Sequence, residues 1–65
     1  MRVFAWKDGR MYYNELVRGF YGNVYKATFY PSREEAHNGK KKVPPWILKE
    51  RLALISVRLV EEMEE

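Results

Sequence analysis

The chain has no cysteine and a single histidine among its 65 residues. The first absence excludes disulfides and thiolate metal sites, the usual staples of small domains. The second excludes a zinc site built on paired imidazoles, because His37, beside Asn38 and Gly39, has only scattered carboxylates for company. His37 is therefore expected to be exposed and structural. Nowhere do about 18 apolar residues run together, so no membrane span and no membrane partner are expected. The opening MRVFAWKDGR also lacks the apolar stretch of a signal peptide, which sets the expectation of a cytoplasmic protein. Basic residues are missing too, but only from the last stretch. The balance is 12 Lys plus Arg against 9 Asp plus Glu, a net +3, yet nothing basic follows Arg58, while Lys40, Lys41 and Lys42 sit together. A polarised molecule is implied.

One domain over residues 1–65 is expected at this length. A chain of this size buries only about 60% of its unfolded surface, so stability is marginal. With no cross-links available, aromatic packing or oligomerisation must compensate, and aromatics make up 15% of the residues.

Arg2 to Trp6, followed by Lys7-Asp8-Gly9-Arg10, carries the signal of a β-hairpin with Asp8 and Gly9 as its two loop residues. Lys7 then faces Arg10, Trp6 faces Met11 and Phe4 faces Tyr13. Opposed residues share a face, so Phe4, Trp6, Met11 and Tyr13 form one aromatic-rich surface, with Val3, Ala5 and Tyr12 on the lighter one. Asn14 to Gly19 fits either a capped helical turn or a bulged continuation of the strand. Gly19-Phe20-Tyr21-Gly22 has the GxxG spacing of a nucleotide-clamping loop, but it carries aromatics between strands and reads as a hairpin loop. Asn23 to Tyr30 alternates, with Tyr25, Ala27 and Phe29 to one side and Lys26, Thr28 and Tyr30 to the other, the pattern of a half-buried antiparallel strand. Ser32 and Glu35 then form a capping box opening a helix of one or two turns, ended by His37-Asn38-Gly39.

Val43 to Met63 predicts a long helix. Leu48, Leu52, Ile55, Leu59 and Met63 recur at steps of three and four, and no glycine or proline interrupts after Pro45. Pro44 and Pro45 suit its first turn. A second apolar line, Trp46, Ala53, Val57 and Val60, exceeds what one small sheet can cover, so these residues are the expected interface of a homodimer. The predicted fold class is α+β: a three-stranded antiparallel sheet made of the N-terminal hairpin plus one strand, one short helix, and a long C-terminal helix packed on the sheet.

Catalytic constellations are missing as well. Ser32 is explained by capping, and Glu34 and Glu35 by the positive end of a helix dipole, so no enzyme activity and no cofactor are expected. What is present is a set of basic residues interleaved with aromatics: Arg18, Tyr21, Lys26, Tyr30, Arg33, Lys40, Lys41 and Lys42. Rings that stack on bases and cations that neutralise phosphates suit a nucleic acid or nucleotide ligand. Thr28 to Ala36, after a three-stranded sheet, resembles the sheet-to-helix junction of AP2-type and integrase arm-type DNA-binding domains, which implies a sheet lying in the major groove of DNA. Val43 to Ile55 resembles a stretch found in small bacteriophage-encoded accessory proteins, which implies host cytoplasm as the location and binding as the mode of action. The expected function is a non-enzymatic binding module for a phosphate-bearing ligand. The alternative is an inhibitor of a host or defence protein that acts through the long helix and the basic loop.

Overall fold

The first hairpin sets the frame in the computed structural model, which describes residues 2–58. Strand β1 (Arg2–Asp8) turns into β2 (Met11–Asn14) with Asp8 opposite Met11 and Lys7 opposite Tyr12. The loop residues are thus Gly9 and Arg10 rather than Asp8 and Gly9. Gly9 has φ +60° and Arg10 stays out of the positive region, the signature of a type II′ connection, which needs its glycine first. Each partner has moved two residues from the predicted register. An even shift leaves the faces unchanged, so Trp6, Tyr13 and Phe4 still share one side.

Asn14 ends β2 by capping the next turn: its Oδ1 accepts from the Leu16 and Val17 amides at 2.9 and 3.2 Å. The turn closes at Arg18 with φ +51°, and β3 (Gly19–Tyr21) returns beside β2, pairing Tyr13 with Phe20 and Tyr12 with Tyr21. The strand predicted over Asn23 to Tyr30 is not formed. Asn23 Oδ1 accepts from the Tyr25 amide at 2.9 Å and starts a 3₁₀ turn over Val24–Lys26, whose last carbonyl is taken by Asn14 Nδ2 at 2.6 Å. Local side chains satisfy this backbone before a ladder can. The end of the stretch still reaches the sheet beyond the short β1–β2 ladder: Thr28 donates its amide to the Tyr13 carbonyl at 3.0 Å, and Tyr30 forms an isolated bridge with Phe4 through two hydrogen bonds at 2.7 and 2.8 Å.

Helix α1 (Arg33–Lys41) begins as predicted, with Ser32 Oγ accepting from the Glu35 amide at 3.1 Å. It does not stop at Gly39. That residue is buried inside the helix, and the ring of Tyr30 occupies the space its side chain would need.

The long C-terminal helix is overturned. Val43 to Leu48 forms turns, in which Pro44 O accepts from the Ile47 amide, a 3₁₀ turn covers Lys49–Arg51, and β4 (Ala53–Arg58) pairs antiparallel with β1 from Lys7↔Ala53 to Arg2↔Arg58. The sheet therefore has four strands, ordered β3-β2-β1-β4. Central strand β1 has backbone groups to satisfy on both edges, and β4 supplies the second edge. Leu59, Val60 and Met63 lie outside the described residues. The helix face expected to join two copies is not formed: Ala53 and Val57 sit on β4, and Trp46 belongs to the turns before it.

The main core lies on the α1 side of the sheet, while Val3 and Ala5, on the other side of β1, are buried as well. Trp6, Tyr13, Tyr30, Ala36, Val43 and Leu52 are its buried members, with Phe4, Phe20, Ile47 and Leu54 packed around them. Trp6 donates its indole N–H to the Ala36 carbonyl at 2.7 Å, fixing α1 to β1. No helix among the described residues is long and apolar enough to cross a membrane.

Candidate nucleic-acid interface

The residues singled out from sequence separate into different places. Tyr30 is a core residue, 7% exposed, with its hydroxyl donating to Glu15 Oε2 at 3.3 Å. Burial first, then the nearby Glu15 carboxylate, pushes its phenol above the usual range. A buried, protonated Tyr30 offers no ring face to a ligand. Arg33 lies at the start of α1, its guanidinium 5.4 Å from the centre of the Phe4 ring. Arg18 is exposed at the β2–β3 turn.

Lys40, Lys41 and Lys42 end α1, where cations complement the negative end of the helix dipole. Lys40 Nζ stands 4.7 Å from the Trp6 ring centre, and exposed His37 meets the same ring edge-on at 5.3 Å. Lys49 Nζ reaches back to the Lys41 carbonyl at 3.5 Å, and His37, Lys40, Lys41 and Lys49 line an open hollow of about 280 Å³. Much of this lysine run thus has a packing explanation. Among the described residues no group of three His, Cys, Asp or Glu side chains could hold a metal ion.

A tighter arrangement occupies the opposite face of the sheet. Helix α1 reaches β1 through Phe4 and Trp6, and since side chains alternate along a strand, Lys7 must point away from it. The ladder places Tyr12 opposite Lys7 and Tyr21 opposite Tyr12, so the three stand in one cross-strand row. Lys7 Nζ lies 5.3 Å from the Tyr12 ring centre, and Lys26 Nζ lies 5.0 Å from that of Tyr21. The turn that carries Lys26 also presents Tyr25, 85% exposed. The strand residues on this face include no carboxylate.

Of this group, Tyr21 and Lys26 are legible in the sequence. Lys7 and Tyr12 join them only through the hairpin register, and Tyr25 only because Asn23 turns the chain instead of extending it. Charge agrees in sign: the chain carries twelve basic against nine acidic residues, a formal +3. No protein-family model, curated protein or solved structure matches the chain.

Proposed function

We propose that the chain is a non-enzymatic nucleic-acid-binding module that uses the helix-free face of its sheet. The observation that carries this reading is the row Lys7, Tyr12, Tyr21 and Lys26, with exposed Tyr25 on the adjoining turn. An ammonium over a phenol ring forms a weak exposed pair that a phosphate can recruit, leaving the ring to a base. Stacking of a base on such a ring contributes roughly 1–3 kcal/mol, and each lysine that meets a phosphate releases counterions. Aromatic rings and cations without opposing carboxylates favour a polyanion with flat bases over an acidic protein surface.

Binding to single-stranded DNA, followed by anisotropy of a labelled strand across a salt series, tests the reading. Tyr25→Ala touches almost nothing in the fold, so its expected loss of roughly 5- to 150-fold in affinity would report lost stacking. Lys7→Ala with Lys26→Ala is expected to flatten the log–log salt slope by about 1.4, at about 0.7 per phosphate contact. No binding to any single strand or duplex at low salt, or unchanged affinity and slope in these variants, would rule the function out.

A further inference from the structure

The most exposed tryptophan of the described chain is unused by the helix-free face. Trp46 is 70% and Leu48 55% exposed, and with Asp8, Phe20, Ile47 and Arg51 they line a groove of about 250 Å³ on the helix side of the sheet. Asp8 and Arg51 are already paired across its wall, Nη2 to Oδ1 at 3.3 Å. Pro44 and Pro45 lead into Trp46 and restrict the backbone that presents the indole.

The groove and the Lys7–Tyr21 row sit at the same end of the sheet. Asp8 is in the groove and its neighbour Lys7 in the row; Phe20 is in the groove and its neighbour Tyr21 in the row. Between the two faces runs the rim formed by the tip of the β1–β2 hairpin, where Gly9 offers no bulk and Arg10 is exposed. A polynucleotide on the helix-free face that crosses this rim meets Arg10 and then the open indole.

We propose that the groove receives one unpaired nucleobase of a single strand bound on the opposite face, stacked on Trp46 with its edge toward Asp8 and Arg51. This rests on the nucleic-acid reading and adds the strandedness of the ligand. Three features select a base over an apolar peptide side chain. The wall carries both an acceptor and donors, the complement of the pairing edge that an unpaired base leaves open, which presents both. An apolar anchor would offer neither group of that pair a hydrogen-bond partner. The volume is below the roughly 300–1,000 Å³ of pockets for larger ligands and suits a single ring system.

Trp46 also supplies the reporter, because Trp6, the other tryptophan, is buried and hydrogen-bonded. The full chain is titrated with a mixed-sequence single-stranded oligonucleotide of about 12 nucleotides and, separately, with its duplex, following tryptophan fluorescence and the anisotropy of the labelled strand. Quenching by the single strand and not by the duplex is expected. Trp46→Ala should weaken single-strand binding roughly 5- to 150-fold and leave duplex affinity unchanged, while Trp46→Phe keeps most of the affinity. Single-strand affinity unchanged in Trp46→Ala but reduced in Tyr25→Ala would overturn the base pocket and leave the wider reading standing. Failure of every nucleic acid to bind would overturn both. Self-association that depends on Trp46 in light scattering without nucleic acid would assign the groove to a protein contact and overturn the pocket alone.

Discussion

Trp6→Ala is expected to abolish cooperative folding at 25 °C. The side chain is 2% exposed and lies where every part of the core meets: its indole N–H holds the Ala36 carbonyl at 2.7 Å, His37 packs on its edge, and Lys40 stands over its face. Truncating a buried aromatic of this kind costs about 3–5 kcal/mol, because the neighbours close the cavity only in part. Small domains have about 5 kcal/mol or less to lose. With no disulfide available to limit the unfolded state, the substitution should remove most of the folded population. Trp6→Phe separates the two contributions. It keeps a ring in the core and loses the hydrogen bond, so a cost of about 1–2 kcal/mol and a surviving two-state transition are expected. Urea denaturation followed by far-ultraviolet circular dichroism measures both; a Trp6→Ala midpoint equal to that of the parent would mean that this core does not hold the fold.

Features fixed by near neighbours are legible in the sequence, and those fixed by a distant strand are not. The Ser32–Glu35 cap depends on four consecutive residues and stands where the sequence predicts it. The face shared by Phe4, Trp6 and Tyr13 is also the predicted one, although the turn differs, because the register moves by an even number of residues. Ala53 to Arg58 is the opposite case. Its apolar residues fit a helical stripe with Leu48 and Leu52, and they equally fit a strand with Leu54 and Ser56 on one side and Ala53, Ile55 and Val57 on the other. Local periodicity cannot separate these, since both strand faces are partly buried. The deciding fact is the vacant edge of β1, some fifty residues earlier, and tertiary pairing of this kind overrides local preference.

The binding face divides on the same principle. Tyr21 and Lys26 stand out in the sequence because the cation and the ring occur close together in the chain, whereas Lys7 and Tyr12 become their neighbours through two successive ladders. Tyr25 and Tyr30 exchange roles. Strict alternation puts Tyr25 on the buried side and Tyr30 on the ligand side, but the Asn23 turn swings Tyr25 out, and the bridge to Phe4 carries Tyr30 into the core.

Gly39→Ala should lower stability, against the sign that helix propensity gives. In an open helix this change gains about 1 kcal/mol, because alanine restricts the unfolded chain and glycine does not. Here a methyl group on Gly39 would stand 2.5 Å from Tyr30 Oη and 2.6 Å from two ring carbons. The ring has little room to retreat: the Tyr30 backbone is bonded twice to Phe4, and its hydroxyl is held by Glu15. Overpacking of this kind costs about 1–3 kcal/mol, enough to reverse the propensity gain. A double-mutant cycle isolates the clash. With Tyr30→Leu in place, the ring is gone and Gly39→Ala should become neutral or stabilising, so the two substitutions should couple by about 1–3 kcal/mol. Urea midpoints of the four proteins give that coupling directly. Gly39→Ala that stabilises the parent chain, or a cycle that closes without coupling, would show that the ring does not stand against the helix backbone.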